Sequence, residues 1–404
     1  MTNPLARALI LGCLALLLLG CPQKAVKIGV ILPLTGDDAT YGNAVKNGLE
    51  LAFEDIQADS ARSTQLELVI VDSESDPQKA ANLLETVYDD GALLAIGGVT
   101  SSEAKEMINV ANRYDRVLIS PSASSPELTA ASSNFYRIFP SDYAAASKMA
   151  QFLGQDLKVD EVVVVAEEAQ EFAKGIQGAF STAYKDNYAG SVLEVVEYPP
   201  NTVEFSGLMQ RVMTLDPKAV YLAAYGAEAG AMIQELRRLD YEGKILTTSA
   251  FSSPEFIAPV GDDAAGVFLT QSVFELDSDH AHIKTFVEKY QQRYSKMPDI
   301  YSAHGYDVLG VVATAVEGRP PIPSEAPKGL RDDIRDYPGV TGSIQFNEQG
   351  DVQKFPRVYV ITQDLMLQDY NERVRAQQEE LRKKREELKR KLDEINRQAQ
   401  QINN

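Results

Sequence analysis

Short apolar runs alternate along this chain with longer segments whose apolar side chains recur every three or four residues. The run VKIGVILPL, within residues 24–34, is apolar except for Lys27, and residues 41–58 after it have the pattern of an amphipathic helix. This alternation predicts βαβ units and a parallel sheet with both faces covered by helices. The same pattern predicts strands at 65–72, 93–97 and 117–120 and helices at 77–90 and 102–114.

The same alternation of apolar runs and helical segments begins again near residue 143 and continues to residue 362. Strands are expected at 159–166, 191–198, 219–224, 244–249, 266–271, 340–346 and 358–362, and helices at 143–157, 172–186, 203–215, 228–239, 280–296 and 301–317. We therefore predict two doubly wound α/β lobes, 24–141 with 272–340 and 142–271 with 341–364. Three crossovers, near Ser141, Gln271 and Thr341, would join them, an arrangement suited to hinge closure around a ligand.

The segment 365–404 is charged and lacks Gly and Pro. Apolar residues recur in it at every seventh position, whereas the positions four residues later are mostly polar, so a coiled-coil seam would be weak. Acidic and basic side chains spaced i,i+4, as in Glu380 and Lys384, favour a helix. A helix is predicted, and a solvated spacer, a coiled-coil oligomer and docking on a partner all stay open. The heptad positions are Leu367, Val374, Leu381, Leu388, Ile395 and Ile402.

The first twenty residues have the pattern of an export signal. Arg7 precedes the apolar run 8–19, which is too short to span a bilayer comfortably, and the sequence Leu18-Leu19-Gly20 leads into Cys21. A thiol directly after this motif predicts a lipoprotein signal peptide at 1–20, with lipid attached to Cys21. The protein would then be exported and anchored at a membrane of the cell envelope. An ordinary secretory signal or an N-terminal anchor helix is the alternative.

Composition excludes several classes of function. The net charge of −19 disfavours nucleic acid and anionic membrane faces as partners. The lobes carry no cysteine nucleophile, no Gly-x-Ser-x-Gly elbow and no glycine-rich phosphate loop, so neither an enzyme nor a cofactor site is expected. His280 and His282 offer two metal ligands without a third, and no metal site is predicted. Loss of Cys13 with the signal would leave no internal disulfide.

The stretch 96–128 carries the candidate binding chemistry. Two predicted strands end there in hydroxyl-rich turns, Thr100-Ser101-Ser102 and Ser122-Ala123-Ser124. Ligands of open α/β sheets bind where parallel strands end, and hydroxyls with free backbone N–H groups suit a small carboxylate. Ser101 could also cap the helix expected at 102–114. The two roles are compatible, because a helix N-terminus is itself favourable for anions.

Three segments carry a family resemblance: residues 26–48, residues 96–128 and GVTGSIQFNEQGDVQKFPRVYVI at 339–361. In this order and spacing they resemble the type I periplasmic solute-binding proteins, and in particular the leucine/isoleucine/valine-binding proteins of ABC importers. The resemblance covers residues 24–362 and excludes the tail. It implies that a small ligand binds in a cleft between two closing lobes and that a membrane permease recognises the closed form.

The resemblance also implies which residues contact the ligand. Ser101, with its neighbour Ser102, and Ser122 and Ser124 match the groups that hold the α-carboxylate and part of the ammonium. In addition, three aromatic side chains match residues that border the ligand. Tyr41 would border the ligand side chain and Tyr225 would line the second lobe, while Phe172 stands where the family usually has a Tyr-Gly pair. The alternatives are turn or cap roles for the serines and simple packing for the aromatics.

One departure from the family pattern concerns the ligand's ammonium group. Amino-acid binders place a carboxylate just after the strand corresponding to 244–249, where this chain has Ser249 and Ala250. By this correspondence Ser249 is also expected to contact the ligand. An ammonium buried without an anion costs several kcal/mol. Either Glu255, Glu228 or Asp142 supplies the charge, or the ligand is an amide, an aromatic acid or another small carboxylate.

A second function is compatible with the same residues. Some outer-membrane lipoproteins use this fold to bind and activate penicillin-binding proteins, and they open with a similar strand. The run ILPLTG at 31–36 resembles both groups. The added heptad tail favours a protein partner, whereas the two serine clusters favour a small ligand.

Overall fold

The computed structural model describes residues 25–402 and contains two main β-sheets with helices on their faces. The predicted signal peptide and Cys21 lie outside the described residues. We call the unit built on the five-stranded sheet the first lobe and that on the seven-stranded sheet the second lobe. Within residues 25–402, no helix combines the length and the apolar character needed to cross a lipid bilayer.

The sheet of the first lobe has the order β2-β1-β3-β4-β5, and all its strands are parallel. The interior strand β1 buries six of its seven residues, all except Lys27, as its mostly apolar sequence predicts. The elements are β1 (Val26–Leu32), α1 (Ala39–Ala58), β2 (Leu66–Asp72), α2 (Pro77–Asp89), β3 (Leu94–Gly97), α3 (Ser101–Tyr114), β4 (Leu118–Ser120) and β5 (Phe135–Arg137).

The sheet of the second lobe has the order β14-β13-β10-β9-β8-β6-β7. Strands β6 to β10 are parallel to one another, whereas β13 pairs antiparallel with both β10 and β14 at one edge. The elements are α4 (Asp142–Gln151), β6 (Glu161–Glu167), α5 (Glu171–Tyr188), β7 (Ser191–Tyr198), α6 (Ser206–Thr214), β8 (Ala219–Ala223), α7 (Gly226–Arg238), β9 (Lys244–Thr247), α8 (Pro254–Val260), β10 (Phe268–Gln271), β13 (Arg357–Ile361) and β14 (Leu367–Asp369).

After β10 the chain returns to the first lobe, where two glycines allow a close helix crossing. A Cβ at Gly48 of α1 would lie 1.9 Å from the Ser302 carbonyl oxygen, and one at Gly305 would lie 2.2 Å from the Val45 carbonyl oxygen. Only residues without a Cβ permit this approach. The returning elements are α9 (Ala281–Tyr294), α10 (Ile300–Val316), α11 (Ala326–Asp332) and the hairpin β11 (Tyr337–Gly339) and β12 (Gly342–Ile344).

The segment after this hairpin stays against the first lobe before it reaches β13. Asp351 forms a bridge with Arg137 of β5, and the Phe346 ring packs on Tyr136 with 5.2 Å between centroids. The lobe ranges given above stay predictions, and these contacts favour a third crossover nearer Asp351 than Thr341.

The α/β fold of two wound lobes with a C-terminal helix is confirmed, with differences at individual elements. The strand expected at 340–346 is replaced by the short hairpin β11–β12. The tail begins with strand β14, which contains Leu367, and its helix, α12 (Tyr370–Ile402), starts five residues later than residue 365. Edge pairing with β13 extends this first tail segment, so Leu367 is not part of the heptad helix.

Candidate functional site

A small cavity lies between the two lobes, at the ends of strands from both sheets. Its volume is about 20 Å³, enough for about one water molecule. The structure brings seven of the eight predicted ligand-binding residues together on this cavity, and Ser102, half-buried on α3, is the exception. The lining residues are Tyr41, Val99, Thr100, Ser101, Ser122, Ser124, Phe139, Phe172, Tyr225, Ser249, Ala250 and Tyr301.

Ser101 is the first residue of α3 and not its cap. Thr100 caps the helix, because its side chain accepts a hydrogen bond of 3.3 Å from the Glu103 backbone N–H. The Ser101 Oγ instead accepts hydrogen bonds from the backbone N–H groups of Ser124 and Ser125, at 3.3 and 3.1 Å. The prediction that Ser101 caps this helix is therefore wrong. Ser101 joins the two hydroxyl-rich turns and keeps its own proton to donate.

The second turn is held by hydroxyls that bond within the first lobe. Ser122 Oγ donates to the Val99 carbonyl at 2.7 Å, and Ser120 Oγ donates to the Gly98 carbonyl at 2.7 Å. These bonds tie the end of β4 to the end of β3. The Ser122 hydroxyl is thus committed to positioning the turn, even though its residue lines the cavity.

Arg137 fixes the same turn from behind. Its guanidinium is fully buried and forms a two-bond ion pair with Asp351, with Nε–Oδ1 and Nη2–Oδ2 distances of 2.6 and 3.0 Å. It also donates to the Ser125 carbonyl at 2.8 Å. A planar guanidinium suits such a bidentate contact. Arg137 therefore connects the serine-rich turn after β4 to the segment that precedes β13.

Aromatic side chains close the cavity from the second lobe and the returning helices. Phe172 and Tyr225 stack with 5.0 Å between ring centroids, and both line the cavity. Tyr301, from α10, contacts Tyr41 edge-on at 4.8 Å and donates to the Ser249 carbonyl at 3.4 Å. The walls of the cavity are thus apolar ring faces with a few polar groups between them.

Tyr41 bridges the two lobes. Its hydroxyl donates to the Ala250 carbonyl at 3.0 Å and accepts from the Gly226 backbone N–H, at the start of α7, at 2.8 Å. Burial raises the pKa of Tyr41 well above its ordinary value, so the hydroxyl stays neutral. One side chain of the first lobe therefore occupies polar backbone groups at two strand ends of the second.

Asp142 is the candidate acid that contacts the serine turn directly. It begins α4, is almost fully buried, and its backbone N–H donates to the Ser124 carbonyl at 2.8 Å. Within residues 25–402, its Oδ2 has no hydrogen-bond partner. Burial raises the pKa of Asp142 to about 7, an effect that the Ser124 side chain and the Arg137 charge offset only in part. A cation beside Ser124 would satisfy this orphaned oxygen.

The other two candidate acids are engaged elsewhere. Glu255 forms an ion pair with Lys296 at 2.5 Å and accepts from the Ser253 hydroxyl at 2.6 Å. Glu228 accepts from the Tyr225 backbone N–H at 3.3 Å, and burial raises its pKa to about 7. Neither residue is among those that line the cavity.

The sequence did not identify several lining residues, among them Phe139 and Tyr301. Phe139 lies two residues after β5, so the rule that placed the serines at strand ends could have found it. Tyr301 has no such signal, because it reaches the cavity from a helix that returns from the second lobe late in the chain. Its placement depends on the close packing of α10 on α1.

Comparison with known proteins identifies the family. A family model described as "Periplasmic binding protein" matches residues 25–364. The leucine-, isoleucine-, valine-, threonine- and alanine-binding protein of Pseudomonas aeruginosa is 25% identical over 335 residues, which are 82% of this chain and 88% of that protein. A Leu/Ile/Val-binding protein homolog of Brucella melitensis is 25% identical over 334 residues, 81% of this chain and 88% of that protein.

Solved structures agree with this result. A leucine binding protein from Thermotoga maritima superposes with a TM-score of 0.79 at 26% identity, covering 85% of this chain and 97% of that one. A solute binding protein of an ABC transporter from R. palustris, in complex with benzoate, has the same fold, with a TM-score of 0.78 at 19% identity over 86% of this chain and 95% of that one. The chain therefore belongs to the periplasmic binding protein family, has the type I fold and is similar to the leucine/isoleucine/valine-binding proteins.

Proposed function

We propose that this protein is a non-catalytic solute-binding component that captures a small carboxylate-bearing molecule between its lobes for an ABC importer. One observation carries the proposal: serine-bearing strand ends of the first lobe and Tyr225, Ser249 and Ala250 of the second meet at one cavity. The names of the similar proteins, binders of aliphatic amino acids or of benzoate, support this ligand class.

Within this proposal the carboxylate is held by the Ser101 hydroxyl and by the backbone N–H groups at the start of α3. This arrangement uses the favourable field of a helix N-terminus for an anion. If the ligand is an amino acid, its ammonium lies beside Ser124, where the orphaned Oδ2 of Asp142 provides the opposite charge. Asp142 then replaces the acid that the chain lacks at Ser249 and Ala250.

Ligand entry in this account requires movement of Tyr41. A cavity of about 20 Å³ holds about one water molecule and is too small for any amino acid. The ligand must therefore open the lobes or displace the tyrosine ring. The ligand replaces the two hydrogen bonds of the Tyr41 hydroxyl with its own contacts. Affinity then depends on how much better the ligand holds the closed form than Tyr41 does.

We also propose that the protein is exported and anchored through lipid on Cys21, and that a membrane permease recognises its closed form. A thermal-shift screen of aliphatic amino acids, their amides and aromatic acids tests the binding function. At least one ligand should raise the midpoint of thermal unfolding in wild type and leave it unchanged in Ser101→Ala. No stabilising ligand in any of the three classes would contradict it.

A second candidate is a lipoprotein that uses this fold to contact a protein partner, such as a penicillin-binding protein. The observation that favours it is that the Tyr41 hydroxyl bonds to the Ala250 carbonyl and the Gly226 N–H of the other lobe. These bonds hold the lobes together without a ligand. A chain that binds no small molecule, and whose lobes stay closed in Ser101→Ala, would favour this function over the first.

A further inference from the structure

The C-terminal helix α12 presents an apolar stripe that nothing in the described chain covers. It spans 33 residues, about 50 Å at the rise of an α-helix. Leu381, Leu388, Leu392 and Ile395 on this helix are between 55% and 65% exposed. They lie on one side of the helix, because their spacings are seven, four and three residues.

Basic side chains border this stripe on both sides. Arg382 and Lys389 each follow a stripe leucine by one residue, and Lys384 and Lys391 each follow one by three. In a coiled coil these are the positions that flank the core and select the partner. Arg385, four residues after Leu381, lies within the stripe itself and forms no ion pair in the described part of the chain.

The acidic residues of the helix lie on its outer side. Glu380 pairs with Lys384 at 2.5 Å, Glu387 pairs with Lys391 at 2.6 Å, and Arg382 pairs with Glu379 at 2.8 Å. Such pairs stabilise an isolated helix by about 0.2–0.5 kcal/mol each. The charged residues within the stripe and along its borders between Leu381 and Leu392 are nevertheless all basic, although the whole chain has a net charge of −19.

A second copy of this helix is a poor fit for the stripe. In a parallel pair Lys384 would face Lys389 of the second copy, and Arg385 would face its own equivalent. In an antiparallel pair Arg382 and Lys389 would face each other. Like charges at flanking positions oppose association, and an unpaired arginine in a core is costly.

A membrane surface is also a poor fit. Apolar residues recur every seven positions from Val374 to Ile402, and a straight helix drifts by about 20° per heptad relative to such a repeat. Over four heptads the stripe would turn by about 80° away from a flat surface, whereas a supercoiled partner helix follows it.

We propose that α12 forms a heterotypic coiled coil with a helix of another protein whose flanking positions are acidic and which places a carboxylate opposite Arg385. This surface is independent of the ligand cavity, and its test therefore does not depend on the solute-binding function. The apolar stripe supplies burial, and the basic borders select against self-association.

The probe is a four-heptad peptide with leucine at its core positions, glutamate at its flanking positions and one glutamate placed to face Arg385. A matched peptide carries lysine at all of those glutamate positions. Fluorescence anisotropy with the purified full chain should show the acidic peptide binding about tenfold or more tighter, with the preference shrinking as salt rises.

Two double variants that change the net charge equally show which face of the helix causes the preference for the acidic peptide. Arg385→Glu with Lys389→Glu should abolish the preference for the acidic peptide. Lys383→Glu with Arg390→Glu, on the outer side of the helix, should keep it. Circular dichroism of both variants establishes that the helix is retained.

Three outcomes would overturn the proposal. The first is a concentration-dependent dimer of the chain alone that Leu388→Gln abolishes, because the occupant would then be a second copy. The second is binding to phosphatidylglycerol vesicles that removes the peptide preference, which would identify a membrane surface. The third is equal binding of the two peptides, or no binding of either.

Discussion

The Tyr41 hydroxyl, at the start of the first helix, donates a hydrogen bond of 3.0 Å to the carbonyl of Ala250, which lies 209 residues further along the chain. The same hydroxyl accepts from the Gly226 N–H. Because Tyr41 belongs to one lobe and both partners belong to the other, these bonds stabilise the closed arrangement without a ligand. Under the proposed function, a solute has to replace these two hydrogen bonds with its own contacts.

Tyr41→Phe should open the lobes. The substitution keeps the ring contacts with Tyr301 and Tyr225 but leaves the Gly226 N–H and the Ala250 carbonyl unpaired in the closed form. The cost to closure is about 1–3 kcal/mol. Small-angle X-ray scattering of the ligand-free chain should give a larger radius of gyration than wild type. Tyr143→Phe, at an exposed tyrosine outside the cavity, is the control. Equal radii of gyration for wild type and Tyr41→Phe would show that the hydrogen bonds of Tyr41 do not hold the lobes closed.

Closure should also weaken as pH rises. Burial, followed by the charges of Asp37, Glu228 and Glu167, raises the pKa of Asp38 to about 7, and burial with Glu167 raises that of Glu228 to about 7. Asp37 and Asp38 belong to the first lobe and Glu228 and Glu167 to the second, so separation of the lobes should lower both pKa values toward the ordinary range near 4. The closed form therefore binds more protons between about pH 4 and 7.

The direction of the pH effect on closure follows from this difference in bound protons. Closure is most favourable at the acidic end of the range, loses free energy as pH rises to about 7 and is constant above that. Scattering measured from pH 5 to 8 should show this opening in wild type. Asp38→Asn with Glu228→Gln should flatten the curve, whereas Glu67→Gln, at an exposed strand position, should not. A flat wild-type curve would contradict the assignment of these acids to the interface.

Arg137 should be among the most sensitive positions for stability. Removing it by Arg137→Met leaves Asp351 buried without its partner, and breaking a buried pair in this way costs about 3–5 kcal/mol. Urea unfolding should show this loss. The double variant Arg137→Met with Asp351→Leu should recover part of it, since no charge is then buried alone. A double variant as unstable as the single one would mean that the ion pair is not the cause.

The crossing of α1 and α10 predicts a contrast between two glycines. Gly305→Ala places a Cβ 2.2 Å from the Val45 carbonyl oxygen and should destabilise the fold by about 1–3 kcal/mol. Gly178→Ala, in α5, should stabilise the fold by about 0.5–1 kcal/mol, because its new Cβ would meet no described atom within 4 Å apart from the adjoining backbone of its own helix. Thermal unfolding of the two variants checks both signs, and equal shifts would refute the packing argument.

The sequence was sufficient for the fold and for much of the site because both depend on short-range patterns. Apolar runs alternating with helical periods predict a parallel sheet, and serines directly after such runs lie at strand ends wherever the sheet is parallel. Ser101, Ser122 and Ser124 were placed by this rule. The aromatic partner Tyr225 follows β8 in the same way.

Long-range contacts were not accessible to this reasoning. Arg137 pairs with Asp351 and Tyr41 with Ala250 across more than 200 residues, and neither pairing leaves a local signature. The cap of α3 was misplaced by one residue because Thr100 and Ser101 are both good N-cap residues. The third strand end, with Phe139, was overlooked because β5 is only three residues long.

The most direct test of the solute-binding account is calorimetry with the strongest ligand from the thermal-shift screen. Wild type, Ser101→Ala, Ser124→Ala and Asp142→Asn should be compared with Ser191→Ala, at an exposed serine that begins β7. The account predicts that Ser124→Ala weakens binding by about 1–3 kcal/mol, because a charged ligand group loses its hydrogen-bond partner. Asp142→Asn should weaken the binding of amino acids and leave the affinity for ligands without an ammonium group unchanged. Unchanged affinity in Ser101→Ala and Ser124→Ala would contradict the assignment of the site.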